Sequence, residues 1–316
     1  MIQYLYLGRV SYDEGLRVQA EVAGLVAEGR AANVLLLLEH PPVLTLGRNA
    51  KRENILASDE MLRRRGVTVH EINRGGDVTY HGPGQLVGYP IFDLRTLRTV
   101  SGGRMGPVDF VRGMEEALIR LCGEFGVRAG RICGLTGVWC GKTVVSGQWS
   151  VVSSIPEEHT SGAKAPIDDM GSIAGTEVPA YQSLTRQERP TKERKIGAIG
   201  IHVARGITSH GFAFNVTTEL RDFELIVPCG IADHAVTSLA REVERPEELP
   251  GLEELAHMAA REFGEVFGET VVEVKSLAGL RAQAAAPEQI PAEDTPMRVP
   301  DEVKRLTGEG ERPIRT

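Results

Sequence analysis

The 316-residue chain carries 41% hydrophobic and 25% charged residues, an ordinary globular composition with enough apolar material for a sizeable core. Its net charge of −7 argues against a general nucleic-acid binder, because neutralising phosphates takes clustered Lys and Arg. No run approaches the roughly 18–20 apolar residues of a membrane span, Arg9, Asp13 and Glu14 deny Met1–Leu7 a signal-peptide pattern, and four cysteines without a CxxC pair read as reduced thiols of a cytoplasmic protein.

Ser11-Tyr-Asp-Glu14 has the form of a capping box, and Leu16, Ala20, Ala23 and Ala27 follow at helical spacing. Val34–Leu38 and Val43–Leu46 read as buried strands around Pro41-Pro42, and Gly66–Ile72 as a strand entering a glycine-rich loop from Arg74 to Gln85. Leu86–Leu94 is the next strand. Pro107 opens a helix with Val108, Val111, Ala117, Leu118, Leu121 and Phe125 on its apolar face. Strands are expected over Gly137–Val145, Ile196–Val203, Gly211–Val216 and Thr270–Val274, and helices over Asp233–Val243 and Leu249–Phe267. Strands mostly adjoin strands and helices do not alternate with them regularly. That pattern predicts an α+β fold, a mixed β-sheet packed with helices. Residues 1–276 form the expected catalytic domain, interrupted at about 154–194 by a Pro-, Ser-, Gly- and charge-rich insertion that reads as flexible. From Leu277 to the end, five prolines and many charges read as a disordered tail.

Two motifs stand out. Asn73-Arg-Gly-Gly-Asp-Val-Thr-Tyr-His-Gly-Pro-Gly-Gln85 concentrates glycines and polar groups between strands, yet matches neither GxxxxGK[ST] nor GxGxxG, so it gives nucleotide binding no support. Val227-Pro-Cys-Gly230 places Cys229 just before the helix expected near Asp233, where a helix N-terminus favours thiolate; the plain alternative is a small buried hydrophobe. Cys122 sits on an apolar helix face, and Cys133 and Cys140 lack a turn-and-helix context. Lys195 opens a small-residue strand, and small residues can leave room for a ligand beside the backbone. His210 and Asn215 flank another such strand and read as structural. His40, His70 and His202 have no partners at metal-ligand spacing, so no metal is expected.

Taken in order, Arg74-Gly-Gly-Asp-Val-Thr-Tyr-His-Gly-Pro-Gly-Gln85, Thr136-Gly-Val-Trp139, Lys195-Ile-Gly-Ala-Ile-Gly200, Ser209-His-Gly-Phe-Ala-Phe-Asn215 and Pro228-Cys-Gly230 resemble the lipoyl(octanoyl) transferase family over roughly Tyr4 to Val274. The resemblance implies the fold of biotin and lipoate protein ligase catalytic domains, and no cofactor. It implies octanoyl transfer from octanoyl-acyl carrier protein to the lipoyl-domain lysine of 2-oxoacid dehydrogenases and the glycine-cleavage H protein, with no membrane or nucleic-acid partner. Carried over by position, Cys229 would form the acyl thioester and Lys195 would be its proton-handling partner. Arg74, Gly75, Gly76, Asp77, Val78, Thr79, Tyr80 and His81 would line the substrate pocket with Ala198, Ile199, Gly200, Gly211, Phe212 and Ala213. Trp139 and Lys195 stand 56 positions apart, a longer separation than the family pattern, and Lys142 is the other amine near Trp139. The insertion between them is expected to act as a lid or carrier-docking loop. An ATP-dependent ligase on the same fold and a non-catalytic carrier- or lipoyl-domain-binding protein are the competing readings.

Overall fold

The computed structural model describes residues 1–99, 101–141, 193–228 and 234–285. In chain order its elements are β1 (Ile2–Arg9), α1 (Tyr12–Ala27), β2 (Asn33–Glu39), β3 (Val43–Leu46), α2 (Asp59–Arg64), β4 (Thr68–Glu71), β5 (Val78–His81) and β6 (Gln85–Ile91). There follow α3 (Pro107–Glu124), β7 (Ala129–Ile132), β8 (Leu135–Cys140), β9 (Arg194–Ala204), β10 (Ile207–Asn215), β11 (Ala235–Val236), α4 (Leu239–Glu242), α5 (Leu252–Phe267), β12 (Val271–Glu273) and α6 (Leu277–Ala285).

Among the described residues, nine strands form one mixed sheet in the order β12-β1-β2-β6-β10-β9-β8-β7, with β11 beside β9; β4-β3-β5 form a second, smaller sheet. Strand β2 explains why the large sheet is covered on both faces. All seven of its residues are buried, the signature of a strand with packing above and below. Leu35 and Leu37 point into a core built with α3 and α5, where Phe92, Phe110, Phe263 and Phe267 pack. Val34, Leu36 and Leu38 point to the opposite face, against Val18, Val22 and Val26 of α1 and Leu280 of α6. Truncating any of these leucines to Ala would cost about 2–5 kcal/mol. The α+β expectation of a mixed sheet packed with helices is met. No described helix is long and apolar enough to cross a membrane.

Several local expectations are corrected. Helix α1 is capped by Ser11 as expected, its Oγ accepting from the Glu14 N–H. Its buried stripe, however, is Tyr12, Gly15, Val18, Gln19, Val22 and Val26, while Ala20 and Ala27 are exposed; the larger side chains bury more apolar area and win the inner face. On α3, Val108 is 71% exposed and Phe110 and Met114 take the core positions. The glycine-rich run contains a strand, β5, paired antiparallel with β3. The helix expected over Asp233–Val243 shrinks to the four residues of α4, and Val236 instead pairs with Lys195 in a parallel ladder. Residues 277–285 are helix α6 rather than tail, because Leu277 and Leu280 find apolar partners. The stretch 286–316, nearly all of the expected insertion and its proposed lid role lie outside the described residues, as do Lys142, Cys229 and Asp233.

Candidate active site

The two sheets meet beside the glycine-rich run and border a slot of about 50 Å³. Its walls include Arg74, Gly76, Asp77, Thr79 and His81 from the run and Ala198, Gly200, Gly211 and Ala213 from β9 and β10. Strand alternation sorts the expected residues. Thr79 and His81 face the slot, whereas Val78 and Tyr80 turn to the far side of the small sheet, into a core with Leu44, Leu46 and Phe223. The expectation that the whole run from Arg74 to His81 lines the pocket is corrected on that account, and Tyr80 donates instead to Asp222 Oδ2 at 2.7 Å. Gly75 lies behind the wall, its N–H donating to the Ile201 carbonyl at 2.9 Å. Ile199 and Phe212 oppose each other in the β9–β10 ladder and pack into the helix-covered core, with the Phe212 ring 5.6 Å from that of Phe263. They therefore border the slot through their backbone. Gly200 and Gly211 make room for neighbouring backbone: a Cβ on Gly200 would stand 2.6 Å from the Gly75 carbonyl oxygen, and one on Gly211 would overlap that of Gly88.

Arg74 is held rigidly. Its guanidinium donates to the Thr45 carbonyl at 2.7 Å, to Thr45 Oγ1 at 2.9 Å and to the Gly75 carbonyl at 2.9 Å. Around it stand residues that the sequence reading left out of the site: Tyr12, Tyr89 and His210 line the slot. His40 bonds the Tyr89 hydroxyl and the Val10 carbonyl, each at 2.6 Å. Burial pushes His40 and His210 down to about 4 and His81 to about 3, with neighbouring His40 and the Arg74 charge adding to the effect at His81. All three are neutral at physiological pH. His81 Nδ1 then donates to Gln85 Oε1 at 2.8 Å, Gln85 Nε2 to Asn215 Oδ1 at 2.9 Å, and Asn215 Nδ2 to the Thr237 carbonyl at 2.9 Å. This chain of amides ties the slot to the segment bearing β11. Tyr12 at the first position of α1 and Tyr89 on β6 carry no local pattern that would mark them in the sequence. His210 did carry one, a polar residue opening a small-residue strand.

A second, smaller recess of about 10 Å³ shares the walls Thr79, Ala198 and Ala213 with the slot, and it is lined by Lys195, Gln85, Asn215, Phe223 and Pro228. Counting by twos along β9 from Ala198 would place Lys195 on the helix-covered face. A bulge reverses this: Val138 pairs with Gly197 but Trp139 with Lys195, so Ile196 is the extra residue. Bulges re-aim side chains in this way. Ile196 stays in the core and Lys195, 8% exposed, joins the recess. Its Nζ lies 5.0 Å from the centroid of the Trp139 ring, within the range of a cation–π contact. The Lys195 carbonyl accepts from the Thr237 N–H at 2.9 Å.

Helix α4 begins ten positions after Cys229 and residues 235–236 are strand, so from residue 234 to Ser238 the described chain is not the helix on which the thiolate expectation rested; Cys229 to Asp233 lie outside the described residues. Of the described residues that flank Cys229, Pro228 lines the recess with Lys195, and the His234 ring sits edge-on to Trp139 with centroids 5.1 Å apart. The other cysteines have different environments. Burial pushes the Cys122 thiol well up and that of Cys140 to about 12, and Cys133 is exposed and lines neither recess. No metal-holding cluster occurs among the described residues.

Residues 11–264 match the family model of the lipoyl protein ligase A/B catalytic domain. A protein named octanoyltransferase from Acidobacterium capsulatum is 49% identical over 286 residues, covering 90% of this chain and 98% of that protein. One from Koribacter versatilis is 42% identical over 97% of each chain. A chain from the structure of an archaeal lipoylation system, a bi-partite lipoate protein ligase and its E2 lipoyl domain from Thermoplasma acidophilum, superposes with a TM-score of 0.56 at 15% identity, covering 90% of this chain and 91% of that one. That last likeness is one of fold, and it is the ligase fold expected from the motifs. With its family model spanning most of the chain and octanoyltransferases among its relatives, this chain belongs to the lipoyl protein ligase A/B catalytic-domain family.

Proposed function

We propose that the protein is an octanoyltransferase that moves an octanoyl group from the thioester of an acyl carrier protein to the lysine of a lipoyl domain, through a thioester on Cys229 with Lys195 as proton partner. The observation that carries the reading is the convergence on Lys195. The amine-bearing recess adjoins the slot through three shared wall residues, Pro228 lines that recess, and the His234 ring packs against Trp139.

The chemistry follows from these groups. The Lys195 ammonium favours Cys229 as thiolate, since an adjacent cation lowers a thiol pKa from its usual value of about 8.5. The thiolate attacks the octanoyl carbonyl, the tetrahedral oxyanion collapses, and the carrier thiol leaves with a proton from Lys195. In the second half, the acceptor amine attacks the Cys229 thioester. Its proton passes to Lys195 as the thiolate departs. Exchange of one thioester for another is nearly isoenergetic, so no nucleotide is consumed. Covalent catalysis divides the transfer into two easier steps, and backbone N–H groups around Gly200 or Gly230 would stabilise the oxyanion. The acceptors expected from the resemblance are 2-oxoacid dehydrogenase lipoyl domains and the glycine-cleavage H protein.

Incubation with octanoyl-acyl carrier protein should add one octanoyl mass to the wild type. Cys229→Ala should show neither adduct nor transfer. Full activity of Cys229→Ala, or adenylate formation from free acid and ATP, would overturn the reading.

A further inference from the structure

Between Gly47 and Gly66 stand six cations (Arg48, Lys51, Arg52, Arg63, Arg64 and Arg65) against three anions (Glu53, Asp59 and Glu60), in a chain whose net charge is −7. This basic segment is anchored to two residues of the slot wall, Arg74 and Asp77. The backbone N–H of Arg48 donates to the Arg74 carbonyl at 3.0 Å, and that of Lys51 to Asp77 Oδ1 at 3.3 Å. Asn54 Nδ2 donates to Asp77 Oδ2 at 2.6 Å. Farther along, the segment is laced to the stretch leading to Cys229: Leu56 N–H donates to the Leu225 carbonyl and Val227 N–H to the Asn54 carbonyl, both at 2.8 Å. The segment thus spans from the slot wall to the approach of the nucleophile.

Its outer surface is open. Arg48, Lys51, Arg52 and Arg63 are exposed, and Leu56 and Met61, on either side of the Ser58 helix cap, are 62% and 46% exposed. Arg48 and Arg63 make no ion pair among the described residues. Lys51 pairs with Glu53 at 3.7 Å and Arg52 with Asp59 at 2.9 Å, both on the surface, where such pairs are worth little and exchange readily.

We infer that Arg48, Lys51, Arg52 and Arg63, with Leu56 and Met61, form the docking surface for the donor, an acidic carrier protein that delivers its acyl thioester on a phosphate-bearing arm. The inference rests on the octanoyltransferase reading. Two features favour the donor over the acceptor. Arg48 and Lys51 are bonded through their backbone N–H groups to Arg74 and Asp77 of the slot wall, where the protein-proximal end of an arm threaded into the slot would lie, and that end carries a phosphodiester anion. An acceptor lysine carries no such anion. Opposite charges across a docking face raise association and fix orientation.

The test uses the full chain with the double substitution Arg48→Glu/Lys51→Glu and two donors, octanoyl-acyl carrier protein and octanoyl-pantetheine, the latter lacking both phosphate and protein. KM for the carrier should rise at least tenfold with kcat unchanged, its salt dependence should flatten, and kinetics with octanoyl-pantetheine should stay as in the wild type. A carrier KM within twofold of wild type, or an equal loss with both donors, overturns the docking surface. So does a slowed transfer from preformed octanoyl-enzyme to the acceptor with acylation unchanged, which would give the surface to the acceptor. Wild-type acylation by octanoyl-pantetheine reports on the function separately: its presence keeps that reading even if the surface fails, and failure of the wild type with both donors ends both.

Discussion

Lys195 and Trp139 face each other across the β8–β9 ladder, partners in register and stacked ammonium over ring. The indole fixes where the amine sits, and a cation over an aromatic face is worth about 0.5–2 kcal/mol. Trp139→Phe should therefore lower the acyl-transfer rate by roughly threefold to tenfold while leaving acyl-enzyme formation detectable. Lys195→Ala should slow acylation by about 10²–10⁴, the range for a lost proton-transfer group. Single-turnover intact-mass measurements with octanoyl-carrier would read both; equal rates for Lys195→Ala and wild type would remove Lys195 from the mechanism.

Gly137 supports the same lysine from below. Its φ is +122°, and a Cβ there would stand 2.7 Å from Lys195 Cε and 2.6 Å from the Gly197 carbonyl oxygen. Its N–H donates to the buried Glu115 carboxylate at 2.9 Å, which Arg112 and Arg131 also hold at 2.7 and 3.0 Å. Gly137→Ala should cost about 1–3 kcal/mol in denaturant unfolding and depress kcat at temperatures where the variant is fully folded. An active, stable variant would show that neither the strained backbone nor the contact with Lys195 matters.

Adjacent residues of β5 should behave oppositely. Thr79 lies on the wall common to both recesses, so Thr79→Leu should reduce kcat/KM at least tenfold with little change in Tm. Tyr80 has its back to the slot and bonds Asp222; Tyr80→Phe should lose about 1–2 kcal/mol of stability and keep its kinetics. Thermal melts and steady-state assays on the pair decide whether the strand alternation is as described.

Three buried neutral histidines set an acid limit. His40, His81 and His210 titrate at about 4, 3 and 4 in the folded protein, below the value of about 6.5 for the unfolded chain. Below pH 6.5 the unfolded state binds protons that the folded state refuses. Their contribution to stability is therefore complete above about 6.5 and is lost as pH falls toward 4, at roughly 1.4 kcal/mol per pH unit for each histidine. Urea midpoints between pH 7 and 5 should fall steeply, and less steeply in His81→Gln. Identical slopes would mean that His81 titrates in the folded protein as it does in the unfolded chain.

The fold class, the helix cap at Ser11 and the strands around Pro41-Pro42 were legible because each rests on local chemistry: a hydroxyl acceptor, an apolar run, a residue without an N–H. The small-residue strands were legible as site elements, though for a different reason than expected, since Gly200 and Gly211 admit backbone rather than ligand. What stayed hidden depends on distant partners. Val236 is extended because Lys195 offers it a ladder, and no property of residues 233–243 announces that. The bulge at Ile196 inverts the face of Lys195 relative to a count by twos. Tyr12 and Tyr89 enter the site only because α1 and β6 converge on Arg74.

The rungs Val138–Gly197, Trp139–Lys195 and Cys140–Arg194 act as a clasp that shuts the chain's long excursion between residues 142 and 192 at its base. Whatever length is strung from a closed clasp, the closure entropy grows only logarithmically, by about 0.6 kcal/mol per doubling. Distance along the polypeptide is thereby uncoupled from distance in space. The amine is held at its rung opposite Trp139 however many positions separate the two along the chain.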